Sequence, residues 1–106
     1  MLYGADHPVA LLAPGAAVSG IVHLAGPVCE AGDVLSRGLA RWLSPEEVAF
    51  AGPGALLAIG RAGAYGAAMA SNYNGRLRPA EAVIDGGELR LSRRRETLDD
   101  LVARDA

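Results

Sequence analysis

Ala80-Glu81-Ala82-Val83-Ile84-Asp85-Gly86-Gly87-Glu88-Leu89-Arg90-Leu91-Ser92 is the stretch whose reading decides the fold class. Two runs suited to strands flank a pair of glycines, and glycine accepts the positive φ that a two-residue hairpin loop demands. With Gly86 and Gly87 as the loop, Ile84 stands opposite Leu89 and Ala82 opposite Leu91 on one face. Val83 and Arg90 then share the other face, so pattern and register agree. The spacing predicts an antiparallel hairpin.

The same reading extends to both sides. After the hairpin, Thr97 to Arg104 reads as a short amphipathic helix. Thr97 is its cap, Asp100 stands three residues later, and Leu98, Leu101 and Val102 lie on one stripe. Before it, Gly60, Gly63 and Gly66 recur at every third position, which implies a tight or closely approached backbone. Ala55 to Ile59 is an apolar run of strand length. Ser44-Pro45-Glu46-Glu47 carries a cap, a proline suited to the first helical position and a capping-box acid, and Gly52-Pro53-Gly54 ends that helix. Further back, Pro8 and Pro14-Gly15 bracket a strand over Val9 to Ala13. Val18 to Leu24 reads as another strand, with Val18, Val22 and Leu24 on one face and Ser19, Ile21 and His23 on the other. Short strands with two brief helices predict a mainly β fold.

The chain has 106 residues, 51% of them apolar and 21% charged, an ordinary globular balance that sets an expectation of one domain. Its core must be assembled from small side chains, because one Phe, one Trp and three Tyr supply all the large rings. Marginal stability follows unless another surface packs against it. Net charge is -2. The one basic run, Arg93-Arg94-Arg95, is followed by Glu96, Asp99 and Asp100, so no nucleic-acid-binding patch is expected. Val9 to Cys29 is apolar, but Pro14, Gly15, Ser19, Gly20 and His23 interrupt it and no basic residue precedes it, which excludes a membrane helix or signal peptide there. A single Cys forbids an internal disulfide and a multi-Cys zinc site, and fits a cytoplasmic setting. No metal ligand set is expected.

Three places can carry chemistry. Cys29-Glu30 follows the Gly26-Pro27 turn, and a thiol beside a carboxylate can relay a proton from a loop. Taken alone, the Cys is more often a small buried hydrophobe. Tyr65 lies between Gly63 and Gly66, where a phenol can reach a ligand, or serve as a core side chain beside a turn. Ser71-Asn72-Tyr73-Asn74-Gly75 reads as a surface loop. His7 and His23 are isolated, and structural roles are expected of them.

Leu2-Tyr3-Gly4-Ala5, His7-Pro8, Gly26-Pro27-Val28-Cys29-Glu30-Ala31-Gly32-Asp33-Val34-Leu35, Leu56 to Ile59, Ala62-Gly63-Ala64-Tyr65-Gly66, Met69 to Asn74, Arg78-Pro79-Ala80-Glu81 and Arg93-Arg94-Arg95-Glu96-Thr97 follow one another in order. Together they resemble the carboxy-terminal region of the diaminopimelate decarboxylase family, the fold-type III pyridoxal-phosphate decarboxylases of ornithine, diaminopimelate and arginine. The resemblance covers almost the whole chain and is weakest from Ser36 to Pro53.

The resemblance implies a β-barrel or β-sandwich domain of Greek-key type. It would be the partner of a cofactor-binding TIM barrel that this chain lacks, along with the strand that precedes that barrel. It implies a homodimer with sites at the subunit interface and a small amino-acid substrate, most simply diaminopimelate decarboxylated to lysine in amino-acid biosynthesis. Ornithine, arginine or a polyamine precursor is the alternative substrate, and a non-catalytic dimerisation module is the alternative of another class. Carried over by residue, Cys29 corresponds to the proton donor offered to the partner's site, and Glu30 to the carboxylate that binds the distal ammonium. Tyr65 corresponds to the contact to pyridoxal phosphate and substrate, and Tyr3 to a contact to a substrate carboxylate. The family's Arg four residues before that Tyr would fall before Met1, so the chain is expected to begin inside the substrate site.

All ten basic residues are Arg. Pyridoxal enzymes hold their resting cofactor through a lysine amine, so the chain alone is expected to be inactive. Arg61 and Ala55 replace the family's usual Asp, and Ala31 replaces a small hydroxyl residue. The uncovered edges of an incomplete domain imply a homo-oligomer or swapped assembly.

Overall fold

The computed structural model describes residues 6–105. They fall into two compact units, 6–63 and 64–105, where the composition predicts one domain. The division follows the burial: among the described residues, the buried apolar side chains Val9, Leu39 and Leu43 all belong to the first unit.

In that unit, β1 (Val9–Ala13) pairs antiparallel with the later strand Leu56–Ile59. Val9 faces Ile59, Ala10 faces Ala58 and Leu11 faces Leu57. The register then slips by one residue between Leu11 and Ala13, while the facing goes on alternating, with Ala10 and Leu12 out to solvent. The ladder continues past the strand ends, where Gly60 N–H donates to Pro8 O at 2.8 Å and His7 Nδ1–H donates to Gly60 O at 3.1 Å. His7 is buried and bonded, the structural role expected of it.

Val18 to Leu24 departs from the expected strand. Only Leu24 is in ladder pairing, as part of β2 (Leu24–Ala25), because Gly20 at φ +82° takes the chain out of extended conformation. The facing survives: Val18, Val22 and Leu24 are half-buried while Ser19, Ile21 and His23 are exposed. β2 pairs with β3 (Val34–Ser36), after which a 3-10 turn at Leu39–Arg41 drives Leu39 into the core. Leu11, Val22, Leu24, Trp42, Val48 and Leu57 pack around it. Arg41 lies over the Trp42 ring at 5.1 Å and pairs with Asp6.

Helix α1 (Pro45–Ala49) starts as its sequence predicts: Ser44 Oγ accepts from Glu47 N–H, Glu47 Oε2 accepts from Ser44 N–H, and Pro45 opens the first turn. The glycines around it serve close approach. Gly15 N–H donates to Phe50 O at 2.7 Å and Gly52 N–H to Ala16 O at 3.1 Å, and a Cβ at either glycine would collide with the facing backbone. The strand over Leu56–Ile59, β4, closes the unit.

A helical turn the sequence did not suggest, α2 (Gly63–Gly66), runs from the last residue of the first unit into the second, and a 3-10 turn follows at Tyr73–Gly75. The short helices therefore number three among the described residues, not two. β5 (Glu81–Asp85) and β6 (Glu88–Arg93) form the hairpin in its expected register, Ile84 on Leu89, Val83 on Arg90 and Ala82 on Leu91. Gly86 at φ +56° and Gly87 at φ +82° make the loop. Helix α3 (Leu98–Val102) is capped by Thr97, whose backbone and side chain bond Asp100 reciprocally.

The fold is thus mainly strands and short helices, as expected. Its sheets are small and open: three two-stranded antiparallel ladders among the described residues, β1–β4, β2–β3 and β5–β6.

Candidate active-site segments

Cys29 and Glu30 stand at the tip of the β2–β3 hairpin. Leu24 pairs with Ser36 and Ala25 with Val34 at its base. Ser36 is buried, and Leu39 N–H, just beyond, donates to Val22 O at 2.8 Å, which fixes the base to the core. Above it the loop is closed by its own hydrogen bonds. Gly26 N–H donates to Asp33 O at 2.8 Å, Glu30 N–H to Val28 O at 2.8 Å, Asp33 N–H to Glu30 O at 3.0 Å and Val34 N–H to Gly32 O at 2.8 Å. Two carboxylates add to these: Asp33 Oδ2 accepts from Val28 N–H at 3.3 Å, and Glu30 Oε1 accepts from Gly32 N–H at 3.0 Å.

Both Cys29 and Glu30 are exposed, so the alternative of a buried, inert Cys does not hold. A carboxylate offers two oxygens; one of Glu30's steadies the loop and the other can accept from an approaching cation. A thiol and a carboxylate on adjacent residues of a braced, outward-facing loop can donate a proton and bind an ammonium on a molecule that approaches this face.

Tyr65 lies in α2, 58% exposed, and its carbonyl accepts from Met69 N–H at 2.9 Å. It belongs to the second unit, whereas Cys29 and Glu30 belong to the first. Tyr3 lies outside the described residues. Arg61, beside the glycine series, is exposed and holds φ +53°. Asp and Asn tolerate that left-handed region better than Arg.

A polar hub in the second unit escaped sequence reading. Glu96 Oε2 accepts from Asn72 Nδ2 at 2.6 Å and from Arg78 N–H at 2.7 Å, and Glu96 N–H donates to Arg78 O at 3.2 Å. These donors, Arg78 N–H before Asn72, hold the Glu96 carboxyl below the usual carboxylate range. Next to it, Arg94 grips Asp100 through both carboxylate oxygens at 2.5 and 2.6 Å and, with Thr97 N–H, holds that carboxyl well below the usual carboxylate range. A loop rich in Ser, Asn and Gly gave no sign that Asn72 reaches a residue 24 positions away. A cavity of about 350 Å³ borders the hub, lined by Ala67, Ala68, Arg78, Arg93, Arg94 and Glu96 among others. Arg93 pairs with Glu81, Arg78 with Glu96 and Arg94 with Asp100, so its charges are balanced. Among the described residues no three His, Cys, Asp or Glu side chains cluster as a metal site, and no helix is long and apolar enough to cross a membrane.

No family model matches the chain. Individual proteins do. It is 46% identical over 102 residues to the diaminopimelate decarboxylase of Neisseria meningitidis serogroup A, covering 96% of this chain and 23% of that protein. To the enzyme of Deinococcus radiodurans it is 45% identical over 103 residues, 97% of this chain and 25% of the relative. The crystal structure of diaminopimelate decarboxylase from M. jannaschi superposes with a TM-score of 0.75 at 37% identity, over 98% of this chain and 22% of that one. The chain belongs to the diaminopimelate decarboxylase family. It spans about a quarter of the length of the curated relatives it matches. A second diaminopimelate decarboxylase structure agrees, with a TM-score of 0.70 at 34% identity over 97% of this chain.

Proposed function

We propose that this chain is the carboxy-terminal β-domain of a pyridoxal-phosphate-dependent diaminopimelate decarboxylase, which converts meso-2,6-diaminopimelate to L-lysine and carbon dioxide in the cytoplasm. In this reading the small ladders seen here belong to a Greek-key β-barrel or sandwich that works beside a cofactor-binding TIM barrel, in a homodimer. The observation that carries the proposal is the exposed Cys29-Glu30 pair on its hydrogen-bonded hairpin tip, in a chain 46% identical to a named diaminopimelate decarboxylase.

When bound, pyridoxal phosphate supplies an electron sink for the loss of carbon dioxide. The exposed phenol of Tyr65, on a glycine-flanked turn, suits an edge contact to such a group. The covalent anchor must come from a lysine elsewhere, because this chain has none. Cys29 then serves as proton donor: its S–H gives a proton to the carbon that has lost carbon dioxide, and the thiolate recovers one from solvent. Glu30 binds the distal ammonium of the substrate, a charge-assisted contact that selects an amino acid with a cation at its far end. Tyr3 contacts a substrate carboxylate.

The test joins this chain to the matching barrel of a family member and measures lysine formation. Cys29→Ala should lower kcat by about 10²- to 10⁴-fold, the usual contribution of a positioned acid, and Glu30→Gln should raise KM for diaminopimelate. Full turnover in both variants would overturn the proposal. A non-catalytic association module is favoured by one observation, the exposed apolar face of Ile84, Leu89 and Leu91 on the hairpin. Binding to the barrel without turnover in the unsubstituted protein would establish it instead. Preference for ornithine or arginine over diaminopimelate would move the substrate but keep the roles.

A further inference from the structure

We infer that Asp33 is the positioning residue of the Cys29-Glu30 tip, an inference whose catalytic consequence rests on the function proposed above. The loop runs from Gly26 to Asp33 and needs its two ends held together if its tip is to keep one shape. Asp33 holds them twice. Its carbonyl accepts Gly26 N–H at 2.8 Å, and its side-chain Oδ2 accepts Val28 N–H at 3.3 Å. Val28 is the residue immediately before Cys29, and its carbonyl in turn accepts Glu30 N–H at 2.8 Å. The carboxylate therefore holds the Pro27–Val28 peptide, and the next peptide, Val28–Cys29, which leads into the thiol, takes the N–H of Glu30.

The surroundings fit this use of Asp33. Its carboxylate lies so close over Gly26 that a Cβ there would overlap it, so glycine at that position makes room for the carboxylate. Gly32 N–H, next in chain to Asp33, donates to Glu30 Oε1 at 3.0 Å and aims the Glu30 carboxylate. Asp33 itself is half-buried while Cys29 and Glu30 are exposed, which separates the residue that holds from those that are presented.

Cys29 is the chain's single cysteine, so a nitroxide attached to it reports on this loop alone. In the 106-residue chain, Asp33→Ala should speed Val28 amide hydrogen exchange about tenfold, the loss of one charge-assisted hydrogen bond. It should also shorten the rotational correlation time of the nitroxide about twofold. The Leu57 and Val9 amides should keep their protection. Asp33→Asn, which retains an acceptor oxygen, should bring Val28 exchange back to within about threefold of the parent and return the nitroxide correlation time to about the parent value. Unchanged Val28 exchange in Asp33→Ala, or faster exchange with an unchanged nitroxide signal, would overturn the inference. In the barrel-joined enzyme, Asp33→Ala should lower kcat about tenfold and Asp33→Asn should recover most of it. Full activity in Asp33→Ala while Cys29→Ala is inactive sinks the positioning role. Full activity in Cys29→Ala sinks the functional reading and leaves the loop measurements to judge Asp33.

Discussion

Leu39→Ala should remove about half of the stability of this chain. Leu39 is 1% exposed and packs with Val9 and Leu43, the other buried apolar side chains described. Losing its methyl and methylene groups forfeits about 2 kcal/mol of transfer free energy, and the space left behind raises the total to about 3 kcal/mol. A chain of this length is held by roughly 5 to 15 kcal/mol, and so small a core places this one near the bottom of that range. The backbone is spared by the change. Leu39 N–H still donates to Val22 O, and Leu39 O still accepts from Trp42 and Leu43 N–H. Trp42, the single tryptophan, is half-buried against this core and reports urea unfolding by fluorescence. With an m-value of about 1 kcal/mol/M, the midpoint should fall by about 3 M. Leu89→Ala removes the same atoms from a side chain 72% exposed on the hairpin, and should shift the midpoint by less than about 0.5 M. Equal shifts in the two variants, or a shift under about 1 M for Leu39→Ala, would refute a core organised around Leu39.

Two further outcomes are expected. Arg61 holds φ +53°, so Arg61→Asn should raise thermal stability by about 0.5 kcal/mol and Arg61→Val should lower it by more than about 1 kcal/mol; a calorimetric scan in which Val is tolerated as well as Asn contradicts the left-handed backbone. Arg94 and Thr97 depress Asp100, and Arg78 and Asn72 depress Glu96; folded values below the unfolded ones mean stabilisation that is complete above about pH 5 and is lost as pH falls through the folded values. Acid titration of Asp100→Asn should show a shallower decline below about pH 4 than the parent, and a steeper one would reverse the sign.

Much of this protein is readable one turn at a time. Ser44 with Glu47 and Thr97 with Asp100 are capping pairs three residues apart, and both form as their spacing predicts. The hairpin register follows from Gly86-Gly87 and the alternation around it. The Cys29-Glu30 pair was legible as a candidate because a turn precedes it, and its exposure agrees. Val18 to Leu24 misled because side-chain facing and ladder pairing are separate matters: the facing alternates, yet Gly20 breaks the backbone. Ser36 to Pro53, which carries none of the motifs behind the resemblance, nevertheless supplies Leu39 and Leu43, since a core asks for volume and apolarity more than for particular residues.

By itself, the amino-acid order determined what acts within a few bonds: the caps, the hairpin and its register, the lack of a lysine to anchor a cofactor, and the motifs that set the family. Tertiary structure alone decided which distant groups meet, such as His7 with Gly60 and Asn72 with Glu96. It also decided that Asp33 reaches back to Val28 beneath the thiol. Caps and turns are short-range energies written in consecutive residues. A hydrogen bond across 53 positions, such as that from His7 to Gly60, exists only after the rest of the chain has brought its ends together, and no local pattern announces it.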